Sequence, residues 1–72
     1  MRITDSARRH GVSDDDITHV IRNAIRVLPG DGFEFFIGAD NGGRLLEVGV
    51  RIDTDGELIA FHAMPARPKF LR

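Results

Sequence analysis

Residues 33–52 read FEFFIGADNGGRLLEVGVRI, two apolar runs on either side of an Asn-Gly pair at positions 41 and 42. Asn-Gly between alternating apolar residues is the strongest short-range signal for a β-hairpin. We therefore predict strands over residues 33–39 and 44–52, joined by a two-residue loop at Asn41-Gly42. In that register six large apolar side chains share one face, with Phe33, Phe35 and Ile37 opposite Val50, Val48 and Leu46.

A third strand is predicted over residues 57–64, after the turn at residues 53–56. Its register has two alternatives. If Ile52 pairs with Glu57, then Glu47 stands opposite His62, and Ile59 and Phe61 join the apolar face. A bulge at the end of the preceding turn would shift this register and turn His62 inward.

Two helices are predicted before the hairpin. The first is short, over about residues 5–10, with Thr4 as its cap and Gly11 as the left-handed residue that ends it. The second begins at Ser13, which stands three residues before Asp16 as in a capping box. Six apolar residues then recur at helical spacing as far as Pro29: Ile17, Val20, Ile21, Ala24, Ile25 and Leu28.

These elements define the predicted fold class, α+β, with two N-terminal helices packed on one face of a three-stranded antiparallel β-meander. The second helix is expected to cover one apolar strand face, formed by Phe35, Ile37, Leu46, Val48 and Ile59. The chain has 72 residues and no linker or repeat, so residues 1–72 are expected to form a single domain. Because a domain of this size buries little surface, we expect a second copy or a partner protein to stabilise it.

The composition argues against some function classes. Ten Lys and Arg residues against eleven Asp and Glu residues give a net charge of -1, which is unlike proteins that bind nucleic acid through their overall field. The chain has no cysteine and no apolar run of membrane-spanning length, so we expect a soluble cytoplasmic protein. The spacing of His10, His19 and His62 matches no metal motif, and no metal or cofactor is expected.

Three short motifs resemble a known family. Residues 9–13 (Arg-His-Gly-Val-Ser), residues 43–48 (Gly-Arg-Leu-Leu-Glu-Val) and residues 63–67 (Ala-Met-Pro-Ala-Arg) occur in an order and spacing similar to those of the BrnT-like toxins of bacterial toxin–antitoxin pairs, within the wider RelE/ParE-like group. The chain lacks the Phe-Glu-Trp-Asp opening common in those toxins. The resemblance implies a sheet with helices on one side and an RNA-handling groove on the other. It also implies an RNA-cleaving activity that stops translation, and a cognate antitoxin that neutralises it.

The candidate catalytic residues follow from the chemistry of RNA cleavage, which needs a base for the 2′-hydroxyl, an acid for the leaving oxygen and cations for the charge on phosphorus. Glu47 is a candidate base, or the group that fixes the tautomer of His62. His62 itself can act as acid or base near neutral pH. Arg44 and Arg67 are candidates for holding the phosphate.

The candidate RNA-binding residues lie near the two ends of the chain and on the hairpin: Arg9, His10, Phe36 and Lys69. We predict that Phe36 points outward and can stack on a base. Pro65 and Pro68, on either side of Arg67, should stiffen the tail and hold it extended. The basic tail, residues 67–72, is therefore expected to contact RNA or an antitoxin.

Two function classes remain open on the sequence. The first, which we favour, is a toxin with ribonuclease activity, acting on free RNA or on the ribosome. The second is a non-catalytic module, or a diverged inactive toxin, that only binds a partner protein. Gyrase poisoning, which is known in related folds, is a third possibility.

Overall fold

The computed structural model describes residues 1–71, which contain one α-helix and a five-stranded mixed sheet. The elements in chain order are β1 (Arg2–Ile3), α1 (Asp14–Arg22), β2 (Arg26–Pro29), β3 (Glu34–Ala39), β4 (Leu45–Ile52) and β5 (Leu58–Pro65). Short 3-10 turns lie at Asp5–Arg8 and Pro68–Phe70. The strand order is β1-β5-β4-β3-β2, with β1 parallel to β5 and every other pair antiparallel. No helix within residues 1–71 combines the length and the apolar character needed to cross a membrane.

The chain is an α+β protein, but the predicted fold class of two helices on a three-stranded meander is wrong. The predicted first helix is a single 3-10 turn, Asp5–Arg8. The Thr4 hydroxyl bonds the Ser6 hydroxyl at 2.7 Å and caps no backbone N–H group. So short a segment gains too few hydrogen bonds to offset the cost of nucleating an α-helix. Gly11 does adopt the left-handed conformation, with φ 77°.

The second predicted helix starts as expected and ends early. The Ser13 hydroxyl accepts from the Asp16 N–H at 3.1 Å. The helix ends at Arg22, where the Asn23 side chain donates to the His19 carbonyl at 3.0 Å. The following residues form β2 because β3 offers an unpaired edge, and residues 25–28 include two β-branched side chains that favour a strand.

The hairpin between β3 and β4 has a three-residue loop, where two residues were predicted. The Asp40 N–H donates to the Arg44 carbonyl at 2.8 Å, and Gly43 has φ 89°. The Asp40 carboxylate also accepts from the N–H groups of Gly42 and Arg44. The extra loop residue slips the pairing by one position, so that Phe36 lies opposite Val48. A slip of one residue exchanges the two faces of a strand.

The sheet therefore has two differently composed faces. The helix face packs against α1 and carries Phe36, Leu46, Val48, Val50 and Ala63. Its core is completed by Ala7, Val12, Ile17, Val20 and Ala60. The opposite face carries Phe35, Ile37, Glu47, Ile59 and His62. We call it the tail face because Phe70 of the C-terminal tail contacts it. The prediction that Phe35, Ile37 and Ile59 lie beneath the helix is wrong for this reason.

The register of β5 matches neither predicted alternative. Ile52 pairs with Leu58, and a bulge at Phe61 separates the pairs Val50–Ala60 and Gly49–His62. Glu47 consequently stands opposite Met64. His62 is its diagonal neighbour on the tail face, and long side chains at diagonal positions can still touch.

Candidate functional site

Glu47 is the centre of the candidate site, and its side chain is fully buried. Its Oε1 accepts from the Arg67 backbone N–H at 2.9 Å and from Arg67 Nε at 3.0 Å. Its Oε2 accepts from Arg67 Nη2 at 2.8 Å and lies 2.8 Å from His62 Nε2. We call Glu47, His62 and Arg67 the triad. Both carboxylate oxygens are thus occupied by protein donors.

The local sequence explains how Arg67 reaches Glu47. The Ala66 N–H donates to the Leu45 carbonyl at 3.0 Å, which continues the pairing of β5 with β4 by one residue. Arg67 is extended, with φ −75° and ψ 151°, as expected for a residue before proline. This backbone brings both the N–H and the guanidinium of Arg67 onto the carboxylate. The prediction that the prolines hold the tail extended is right at Arg67 and wrong beyond it, because Pro68–Phe70 form a 3-10 turn.

The electrostatics of the triad fix its protonation pattern. Burial alone would raise the pKa of Glu47, but hydrogen bonds from the Arg67 side chain, the Arg67 backbone and His62 outweigh it and hold the pKa below its usual value. An ionised carboxylate only accepts hydrogen bonds. His62 therefore carries a proton on Nε2, and whenever the ring is neutral its lone pair lies on Nδ1. The same contact with Glu47 raises the pKa of Arg67.

Aromatic rings continue from the triad across the tail face. The His62 ring centroid lies 6.1 Å from that of His10 and 5.8 Å from that of Phe35. Phe35 in turn contacts Phe33 at 5.3 Å and Phe70 at 4.8 Å. We call these five rings, which are half-buried or exposed, the aromatic strip.

Two cations lie over the last ring of this strip. The Arg67 guanidinium carbon is 5.4 Å from the Phe70 centroid, and Lys69 Nζ is 5.1 Å from it. Cations within about 6 Å of an aromatic centroid are attracted to the ring face. The Phe70 carbonyl also accepts from Arg26 Nη1 at 3.2 Å. These contacts hold the tail on the sheet.

Of the predicted catalytic residues, the structure brings Glu47, His62 and Arg67 together and leaves Arg44 apart. Arg44 Nε donates to the Asp40 carboxylate at 3.2 Å at the hairpin end, because that carboxylate also caps the turn. Of the predicted RNA-binding residues, His10 adjoins His62 and Lys69 adjoins Phe70. Arg9 is exposed beside His10 in the chain.

Phe36 does not belong to the candidate site. It packs against the core on the helix face, so the prediction that it points outward and can stack on a base is wrong. The cause is the one-residue slip of the hairpin. Phe35 takes the position on the tail face that Phe36 was expected to hold. Reading residues 41–43 as a three-residue loop that ends in a left-handed glycine would have predicted this exchange. Phe70 follows the last strand, and no local pattern of the sequence marks it.

Within residues 1–71, no three His, Asp or Glu side chains come together as a possible metal site. Arg72, the end of the predicted tail contact, lies outside the described residues. Comparisons of the chain with protein-family models, curated proteins and solved structures found no match. The relation to BrnT-like toxins stays a prediction, and the function is argued from the triad and its surroundings.

The chemistry available at the site follows from burial. Glu47 has no solvent-exposed surface, so in this conformation it cannot contact a substrate, and its role is to orient its two partners. The side chains of His62 and Arg67 are 24% and 42% exposed. The Arg67 atoms Nε and Nη2 are used by Glu47, which leaves Nη1 outside the pair. Within the triad, the groups that can meet a substrate are thus one imidazole and one guanidinium edge.

Proposed function

We propose that this chain is the toxin of a bacterial type II toxin–antitoxin pair, an endoribonuclease that acts in the cytoplasm, stops translation and is neutralised by a cognate antitoxin. The triad is the observation that carries the proposal. One buried carboxylate holds an imidazole and a guanidinium side by side at the surface. The resemblance of the three short motifs to BrnT-like toxins supplies the biological setting.

The proposed reaction is attack of a ribose 2′-hydroxyl on the adjacent phosphate. His62 Nδ1 takes the 2′-hydroxyl proton as the O2′–P bond forms and the P–O5′ bond breaks. The leaving 5′-oxygen takes up a proton from an acid, which gives a 2′,3′-cyclic phosphate and a 5′-hydroxyl. Glu47 keeps Nε2 protonated and stabilises the orientation of the resulting imidazolium, as carboxylates do beside catalytic histidines. Arg67 offers its free N–H groups to the phosphate oxygens, where negative charge accumulates in the transition state.

The aromatic strip favours a single-stranded substrate. Unstacked bases can lie on aromatic side chains, and each such contact is worth roughly 1–3 kcal/mol. Phe35 and Phe70 adjoin the triad, and Lys69 stands over Phe70 where it can meet a neighbouring phosphate. Because the net charge of the chain is -1, RNA would be attracted by these local cations and not by the overall field.

Induced expression in bacteria tests the proposal. The parent should arrest growth and the incorporation of labelled amino acids, and His62→Ala should relieve the arrest. Arg67→Lys keeps the charge but loses the two-point contact with Glu47, so it should retain only part of the toxicity. His19→Ala is the matched control, because His19 lies on α1 and away from the triad.

Each variant must melt like the parent before its toxicity is interpreted, since loss of folding would also relieve the arrest. Equal arrest from the parent and from a folded His62→Ala variant would remove His62 from the mechanism. A folded, well-expressed parent that leaves growth and translation unchanged would contradict the toxin assignment.

The second candidate is a non-catalytic module that binds a partner protein. It is favoured by three large apolar side chains that the fold leaves in solvent: Ile25, Val27 and Ile52 are 69%, 47% and 63% exposed. A partner protein that covered them would remove this apolar surface from water. A module of this kind would keep its full cellular effect in the His62→Ala variant and would leave RNA intact in vitro.

A further inference from the structure

We propose that His10 is a second catalytic imidazole, the general acid that protonates the leaving 5′-oxygen while His62 acts as the base. This inference rests on the proposed ribonuclease function. It is motivated by the meeting of two imidazoles from opposite ends of the chain. Their centroids are 6.1 Å apart and their planes lie at 75°.

The fold fixes His10 beside His62 although His10 itself is exposed. Residues on both sides of it are anchored in the core, since Ala7 and Val12 are buried. The preceding turn is tied to β5 by the Thr4 N–H, which donates to the Ala60 carbonyl at 3.0 Å, and by the Ser6 hydroxyl, which donates to the Phe61 carbonyl at 2.6 Å. The four residues between these two buried side chains cannot carry His10 far from this edge of the sheet.

The connection after the turn is braced in the same way. The Arg8 guanidinium makes two hydrogen bonds of 2.9 Å to the Asp14 carboxylate at the start of α1. Gly11, left-handed at φ 77°, provides the reversal between His10 and Val12. Both the turn and α1 therefore hold the short segment that carries His10, whereas the imidazole itself can change rotamer at the surface.

The separation of the two rings suits a phosphodiester. A catalytic acid or base must come within about 3 Å of the atom to or from which it moves a proton. In an in-line displacement the attacking and leaving oxygens lie on opposite sides of phosphorus. Two imidazoles separated as His10 and His62 are can therefore flank one phosphate, each in reach of one of these oxygens, with Arg67 beside them.

The roles follow from the hydrogen bonds. Glu47 holds the proton on His62 Nε2, so Nδ1 is the free base that accepts the 2′-hydroxyl proton. His10 in its imidazolium form gives a proton to the 5′-oxygen as the P–O5′ bond breaks. The products are one RNA fragment ending in a 2′,3′-cyclic phosphate and one beginning with a 5′-hydroxyl. His62 leaves the step protonated and His10 neutral, and exchange with solvent restores both.

A sulfur-substituted substrate separates acid catalysis from binding. One RNA carries an ordinary phosphodiester at the bond that the parent cuts, and a matched RNA carries sulfur in place of the 5′-oxygen. A thiolate leaves without needing a proton. His10→Ala should lose roughly 10²- to 10⁴-fold in cleavage rate on the oxygen substrate, the usual contribution of a general acid. On the sulfur substrate it should cut at nearly the parent rate.

The controls assign each failure to its cause. His62→Ala should be slow on both substrates, because the attacking hydroxyl still needs a base, and His19→Ala should resemble the parent on both. Parent-like cleavage of the oxygen substrate by His10→Ala would overturn the inference and leave the proposed ribonuclease standing. An equal loss on both substrates would also overturn it, because it would make His10 a binding residue. A folded parent that cuts neither RNA would remove the proposed function and this inference together.

Discussion

At the scale of single residues, Glu47 connects stability with the proposed chemistry. A buried carboxylate is costly unless it is paired and hydrogen-bonded. Arg67 supplies three donors and His62 one, so the charge is compensated inside the sheet. The same contacts orient the two groups that reach solvent. A substitution at Glu47 should therefore change folding stability and activity together.

We expect Glu47→Gln to lower the free energy of unfolding by about 2 kcal/mol, the range of hydrogen bonds to charged groups. The amide keeps the shape of the side chain but offers one acceptor oxygen where the carboxylate offers two. Urea titration measures the loss. Glu34→Gln is the matched control on the neighbouring strand; Glu34 is exposed, so its change should stay within about 0.5 kcal/mol. Equal changes at the two positions would contradict the central place of Glu47.

The pH dependence of stability gives a second prediction at this scale. The pKa of Glu47 in the folded chain lies below its usual value of 4.5, so the triad contributes stability above that pH and loses it as the pH falls through the folded pKa. The stability difference between the parent and Glu47→Gln should therefore shrink below about pH 4.5. Asp14 and Asp16 also have lowered pKa values, but both proteins retain them. A difference that is the same at pH 3 and pH 6 would contradict the assignment.

At the scale of elements, the hairpin loop decides which side chains meet the triad. Gly43 is left-handed at φ 89°, whereas Gly42 is not among the residues with positive φ. A Cβ at Gly42 would meet only the Asp40 carboxylate, at an ordinary 3.5 Å. We expect Gly43→Ala to cost about 1 kcal/mol because the left-handed region penalises a side chain. Gly42→Ala should be neutral or slightly stabilising.

Thermal or urea unfolding of the two variants measures both stability changes and so distinguishes a three-residue loop from a two-residue loop. A two-residue Asn41-Gly42 turn would require positive φ at Gly42 and would reverse the order of the two costs. In that case Phe35 would face α1, and the aromatic strip would not exist. The loop prediction is therefore also a test of the candidate site.

The helix and the strands differ in how well local sequence patterns predict them. The cap at Ser13 and the three central strands depend on local patterns, and they were predicted within a residue. The end of the helix was not predicted correctly. Residues 24–28 continue the apolar spacing of a helix, but pairing with the edge of β3 puts most of them in a strand. That competition is non-local, and propensity alone cannot decide it.

The candidate site was only partly predicted, because some of its contacts also depend on residues far apart in the sequence. Glu47, His62 and Arg67 were identified by residue type, and their meeting survives a different register because a bulge at Phe61 brings His62 diagonally next to Glu47. Arg44 was wrongly predicted to join the other three residues, because its guanidinium forms a salt bridge with Asp40 in the hairpin turn. The position of Phe70 depends on how the tail folds back over Phe35, which is a tertiary contact without a local signal.

At the scale of the whole molecule, the proposed ribonuclease must bind RNA without a basic overall charge. The cations that the proposal assigns to RNA are few: Arg67 and Lys69 at the tail face, and His10 when it is protonated. Arg26 also lies at the tail face, where its Nη1 donates to the Phe70 carbonyl. Each phosphate that a cation neutralises on a single strand makes the slope of log affinity against log salt steeper by about 0.7. Three such contacts predict a slope of about −2, which is shallow for a nucleic-acid-binding protein.

The last prediction uses this slope to locate the RNA on the molecule. His62→Ala, which should cut slowly, is titrated with a short single-stranded RNA over a range of salt concentrations. Adding Lys69→Gln should weaken binding and reduce the slope by about 0.7, the share of one phosphate contact. Adding Arg22→Gln removes the same charge from α1 on the helix side of the sheet and should leave the slope unchanged. If Arg22→Gln and Lys69→Gln reduce the slope equally, RNA is held by the diffuse field of the protein, and the tail face is not its binding surface.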